Sequence, residues 1–161
     1  MFNKKKPIVP PPVVGPIPEP LTVESLKTYW SKTYNDQGKP DWSHIFPFYH
    51  DDMVFHDSIQ RIEGRIPFME MCERLTKRSQ KLIMTLHHMS KVANMILFTW
   101  TMTIVYKKAP STPLYGATQL TLHEDGRIIH QRDFYDLWGD IFNNVPGFKK
   151  MYRSFMKKNF G

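Results

Sequence analysis

An α+β fold is predicted, with helices first, an antiparallel sheet after them and a helical tail. Three observations predict it. Apolar residues recur at helical spacing over residues 22–36 and again over 66–79. From Lys81 the period changes to two, the period of a strand with one buried face. Between two such alternating runs stands Asp125-Gly126, a strong hairpin signal because a type I′ turn needs positive φ at both central residues.

Residues 1–20 form a Pro-rich arm, extended because proline fixes φ and donates no hydrogen bond. It reads as a solvated tail or a strap along the surface, with a docking peptide for a partner as the alternative. The domain begins at Leu21. Thr22 is a good N-cap, Glu24 suits the first turn, and Leu21 with Leu26 fits a hydrophobic staple. Val23, Leu26, Tyr29, Trp30 and Thr33 then form one helical face. Asp41 can cap a short second helix reaching about Tyr49, interrupted or bounded by Pro47. Met53 to Asp57, Phe55 among them, reads as a short strand. Ile59 to Arg65 is a loop or pairs with its neighbourhood, and Pro67 stands at the start of the helix over 66–79. Four strands follow as a meander: Leu82 to Met89, Ile96 to Tyr106, Leu114 to His123 and Arg127 to Asp136. After Asp136 the chain turns helical again, with Leu137, Trp138, Ile141 and Phe142 together. Beyond Pro146-Gly147, residues Phe148, Met151, Tyr152, Phe155 and Met156 make an apolar stripe opposite Lys149, Lys150, Arg153, Lys157 and Lys158.

A two-residue loop at Asp125-Gly126 pairs Leu122 with Ile129, Leu120 with Gln131, Thr118 with Asp133, and Gly116 with Tyr135. These eight share a small, apolar face, while His123, Thr121, His130, Gln119, Arg132 and Asp136 share a polar one. A three-residue loop would swap the faces. In the two-residue register the oddity is Asp133, a carboxylate on the less polar side.

The chain has 161 residues and a net charge of +7, with 22 Lys and Arg and 15 Asp and Glu. Eight of the cations lie in the two ends, at Lys4 to Lys6 and Lys149 to Lys158, so the body is neutral and nucleic acid is not expected as a partner. One cysteine, Cys72, excludes an internal disulfide. No apolar run is long enough to span a bilayer, and prolines break the faintly signal-like start. A cytoplasmic protein is expected. His87 and His88 point to opposite faces, and His123 and His130 are not opposite each other, so no metal site is expected.

The element order, together with Phe48-Tyr-His-Asp-Asp-Met-Val-Phe-His-Asp57, Ile62-Glu-Gly-Arg65, Phe98-Thr-Trp100 and Gly126-Arg-Ile-Ile-His-Gln-Arg-Asp-Phe-Tyr-Asp136, resembles the nuclear transport factor 2-like cone over residues 22–136. Within it, the resemblance is to the SnoaL-like polyketide cyclase and ketosteroid isomerase-like branch. It implies a cone-shaped, curved antiparallel sheet of four to six strands. Helices enclose a pocket with that sheet, a C-terminal helical extension follows at 137–161, and pairing into a homodimer is expected through the sheet. The family's last strand often reads Gly-Lys-Ile-x-x-His-Trp-Asp. Asp133 falls on that Asp, while Gln131 replaces that His and removes an ionisable partner.

The chemistry this implies is cofactor-independent. A buried Asp133 would act as a general base on carbon next to a carbonyl of an apolar compound. Gln131 or Tyr135 would hold the oxyanion, and His56 is a candidate acid/base partner. Trp100, Phe55, Tyr29, Thr118 and Tyr135 are the expected ligand contacts. The alternative is a non-enzymatic cone that binds a lipid-like ligand or a protein partner, docked to membrane through the C-terminal helix.

Overall fold

A computed structural model describes residues 16–33, 38–107, 111, 113–141, 145 and 147–161. Most of the Pro-rich arm, the segment expected to end the first helix, Phe142 and Pro146 lie outside these.

The first helix, α1 (Val23–Thr33), starts as its sequence dictates. Thr22 Oγ1 accepts the Ser25 N–H at 3.1 Å, and Ser25 Oγ accepts the Thr22 N–H at 2.8 Å. Two N–H groups are thereby satisfied reciprocally, and Leu21 and Leu26 are both buried beside them. The expected second helix shrinks to one 3-10 turn, Phe46–Phe48. Asp41 Oδ1 accepts the Ser43 N–H at 2.9 Å, and Pro47 cannot continue an α-helical ladder.

Strand β1 (Tyr49–His56) follows, then the short β2 (Arg61–Glu63), helix α2 (Arg65–Arg78), and β3 (Ser79–Val92), β4 (Met95–Tyr106), β5 (Pro113–Leu122) and β6 (Ile128–Tyr135). They form one six-stranded sheet in the order β2-β1-β6-β5-β4-β3. All neighbours are antiparallel except β1 and β6, which run parallel. The sheet is curled but unclosed, and α1 and α2 pack with it around one core. Trp30, Phe48, Tyr49, Phe98 and Leu120 are buried there.

The hairpin between β5 and β6 differs from expectation at its tip. His123 donates to the Arg127 carbonyl at 2.7 Å, so the loop holds three residues, with Gly126 at φ 85°. Leu122 therefore pairs with Ile128, not Ile129. An irregularity between Thr121 and Leu122 absorbs Ile129 as an extra residue, and such a bulge restores the phase beyond it. Leu120 still faces Gln131, Thr118 faces Asp133 and Gly116 faces Tyr135.

After β6 the chain makes a wide π-helical turn, Leu137–Ile141. Asp136 Oδ1 accepts the N–H groups of Trp138 and Gly139 at 3.0 and 2.8 Å, and Asp140 Oδ2 accepts the Tyr115 N–H at 2.9 Å, tying the turn to β5. The last helix, α3 (Phe148–Phe160), stacks Phe148 and Tyr152 on Trp138 at 5.9 and 6.1 Å. Only one edge of its apolar stripe is used in this way. Met151 and Phe155, on the other edge, are 62% and 58% exposed. Among the described residues no helix is long and apolar enough to cross a membrane.

Candidate functional site

The concave side of the sheet, α1 and α2 enclose a cavity of about 340 Å³. Its wall is mostly apolar: Trp30 from α1, Phe55 from β1, Phe68 and Met71 from α2, Phe98 and Trp100 from β4. Side chains alternate on a strand, so β6 presents Gln131, Asp133 and Tyr135 together to this space.

Asp133 is held by a chain of donors whose directions are fixed from behind. Trp100 Nε1–H donates to Thr118 Oγ1 at 2.9 Å, and Thr118 Oγ1–H donates to Asp133 Oδ1 at 2.7 Å. On the other side Tyr49 O–H donates to Gln131 Oε1 at 2.6 Å. That bond orients the amide, so Gln131 Nε2 faces both carboxylate oxygens at 3.1 and 3.2 Å. Gly116 makes the geometry possible: a Cβ there would collide with the Trp100 indole and with the Phe134 carbonyl oxygen.

Burial pushes the Asp133 carboxyl up to about 6, against the pull of the Thr118 and Gln131 hydrogen bonds. The charge of Asp57 adds to the rise and that of Arg132 opposes it. Among the described residues, no ion pair neutralises Asp133. Arg65 is paired with Asp51.

A second polar pair lines the same cavity. Tyr135 O–H donates to Asp57 Oδ2 at 3.2 Å, while Asp57 Oδ1 accepts the N–H groups of Ile59 and Gln60, each at 2.8 Å. Burial, then the Asp57 charge, raises the Tyr135 phenol above its ordinary value, so it stays a donor at neutral pH. Cys72 also lines the cavity, but burial pushes its thiol up to about 12, which leaves it protonated and a poor nucleophile.

Of the residues singled out in the sequence, Asp133, Gln131, Tyr135, Trp100, Phe55 and Thr118 line this cavity. His56 does not. It lies on the other side of β1 from Phe55, its Nδ1 against the Arg132 guanidinium, and Asp57 takes the place expected for it. Tyr29 is also outside. Its ring packs on Phe48 at 4.9 Å, and its neighbour Trp30 faces in. Gln131, expected to hold an oxyanion, is committed to Asp133.

Sequence reasoning missed Tyr49 and Arg78, and of His56 and Asp57, which point to opposite sides of β1, it favoured His56 over Asp57. For Asp57 a signal existed, since Met53 and Phe55 are buried at the same parity. It missed one further juxtaposition. His50, His123 and Asp125 bring donor atoms within 4.8 Å of one another at the surface, at the end of β6 remote from Tyr135. There both Nδ1 atoms accept backbone N–H groups, from Asp52 at 3.1 Å and from Asp125 at 3.3 Å.

Among solved structures, the fold is similar to that of a hypothetical protein with a ketosteroid isomerase-like fold from Catenulispora acidiphila, in complex with trimethylamine. The TM-score is 0.61 and the identity 16%, over 72% of this chain and 88% of that one. It is also similar to an LEH-like epoxide hydrolase of M. tuberculosis, with TM-score 0.59 and 17% identity over 84% and 92%. A protein described as a SnoaL-like polyketide cyclase from Shewanella denitrificans gives TM-score 0.59 and 14% identity over 80% and 96%. At such identities the likeness speaks for the fold alone. Among curated proteins, none matches the sequence. The SnoaL-like domain profile matches residues 30–131, which is most of the chain and includes β1 through Gln131. With its curled sheet and the helices packed on it, this chain belongs to the SnoaL-like domain family of the nuclear transport factor 2-like fold.

Proposed function

We propose that the cavity binds an apolar carbonyl compound and that Asp133 moves a proton on it, as in an isomerase or cyclase. One observation carries this reading: a carboxylate in no ion pair among the described residues, fixed by Thr118 and Gln131, stands in an apolar wall with its pKa raised to about 6. Such a group is largely ionised at neutral pH yet near enough to it to return the proton. Asp133 takes a proton from carbon adjacent to the carbonyl, and the electron pair moves to the carbonyl oxygen. Tyr135 turns its O–H from Asp57 to that oxygen. The protonated Asp133 then delivers the proton to another carbon of the enolate. The proton leaves and returns, so no co-reactant is consumed.

Deuterium exchange at the α-carbon of apolar cyclic enones, followed by NMR in D₂O, tests the reading. Asp133→Asn should slow the exchange by about 10²- to 10⁴-fold. Equal exchange with parent and variant would leave a binding protein. Native mass spectrometry of the same pair reports co-purified ligand and subunit number together. The exposed Leu97, Tyr115 and Phe134 support pairing of two copies through the outer sheet face, and a monomer at micromolar concentration would count against it.

A second reading is favoured by α3. Its 13 residues carry five cations and no acid, and Met151 and Phe155 stay exposed beside them. That pattern suits the surface of an anionic bilayer. Vesicles containing phosphatidylglycerol should sediment the protein and phosphatidylcholine vesicles should not. Lys157→Gln with Lys158→Gln should weaken the binding by roughly tenfold or more. Equal sedimentation with both vesicle types would refute the electrostatic docking.

A further inference from the structure

The cavity has a charged side that the proton-transfer chemistry does not use. Most of its lining is buried or half-buried. Ile59, Arg74 and Arg78 both line it and are exposed, and so mark where it opens. The two arginines lie four residues apart on α2, on one helical face. Met71, Cys72 and Leu75 continue that face into the apolar interior.

A cation in the last turn of a helix is ordinarily explained by the helix dipole, and Lys77 fits that account. Lys77 pairs with Glu73 at 3.3 Å and does not line the cavity. Arg74 and Arg78 do line it, and among the described residues neither is in an ion pair. The acid nearest in role, Asp57, is already held by two backbone N–H groups and by Tyr135. Tyr106, beside Arg78, adds a phenol to the same rim. The lining thus grades from a carboxylate within an apolar body to two guanidinium groups at the opening.

We infer that the natural ligand is an apolar carboxylic acid, its hydrocarbon body inside the cavity and its carboxylate held at the opening by Arg74 and Arg78. Guanidinium matches a carboxylate through paired N–H donors. The opposite orientation would place two carboxylates together at Asp133 in an apolar wall, where like charges repel. This rests on the proposed function, because it assigns the ligand class of the same cavity.

The test uses the full chain and a neutral fluorescent probe, N-phenyl-1-naphthylamine, displaced by dodecanoate or by dodecanol. In the parent protein dodecanoate should displace the probe at a concentration about tenfold or more below that of dodecanol. Arg74→Gln with Arg78→Gln should bring the two displacement concentrations together, each read against that variant's own affinity for the probe. Lys149→Gln with Lys150→Gln, on α3, should leave the preference intact. No preference in the parent, or a preference that survives the α2 substitutions, would overturn the inference while the cavity reading stands. Failure of the probe to bind the parent would overturn both.

Discussion

Asp133→Asn is expected to gain on the parent in thermal stability as pH rises, with the difference in melting temperature growing by about 6 to 12 °C between pH 4 and pH 7. The sign follows from linkage. The Asp133 carboxyl sits at about 6 in the folded chain, against an ordinary value of 3.8. Below 3.8 the group is protonated in both states and carries no penalty. Between 3.8 and about 6 the folded chain binds more protons than the unfolded one, so stability falls as pH rises. Above 6 the loss is complete, at about 3 kcal/mol. The asparagine cannot ionise and has no such slope. Its new amide nitrogen can face Gln131 Nε2, donor to donor, which offsets part of the absolute gain but not the pH dependence. Melting curves of both proteins across this range decide the matter. A constant difference would mean that Asp133 is no more buried, electrostatically, than a surface carboxylate.

Thr118→Val should cost about 1 to 3 kcal/mol despite keeping the side-chain volume. The hydroxyl is the only link between the Trp100 indole N–H and Asp133 that the described residues provide. Removing it leaves the buried indole N–H without its acceptor and takes from Asp133 the hydrogen bond that most lowers its pKa. The carboxyl should therefore titrate above 6, visible by carbon NMR as an upward move of its midpoint. Thr118→Ser should restore both stability and midpoint. A midpoint unmoved in Thr118→Val would show that the carboxylate does not depend on this bond.

Much of the sheet was legible in the sequence because period two leaves only one choice of face per strand. Asp133 could be placed on the apolar side from Leu120, Thr118 and Gly116 alone. The loop at Asp125-Gly126 is longer than expected, yet the bulge at Ile129 returned the register, a compensation no local signal announces. The helices were harder. Helical spacing groups Tyr29 with Trp30 but does not say which side chain turns inward, and that depends on where Phe48 packs. The short second helix failed because Pro47 carried more weight than the cap at Asp41. Tyr49 was illegible as a partner of Gln131, since nothing local to either residue refers to the other. Arg78 carried no local signal of its place, since only the curl of the sheet beneath α2 brings it to the cavity.

The bond between Tyr49 and Gln131 joins residues 82 positions apart, across the parallel pair β1–β6. Closing so long a loop has a high entropic cost before any contact offsets it, and topologies rich in such contacts fold slowly. The meander from β3 to β6 can form from near neighbours, whereas the β1 pairing needs both ends of the domain. Gln131 is held in its orientation only once that late pairing is made. The same pairing brings Tyr49 and Phe55 into the cavity wall, so the burial that raises the Asp133 carboxyl is complete only then: in a refolding experiment the raised pKa should appear with the slowest phase, after the hairpins have already formed.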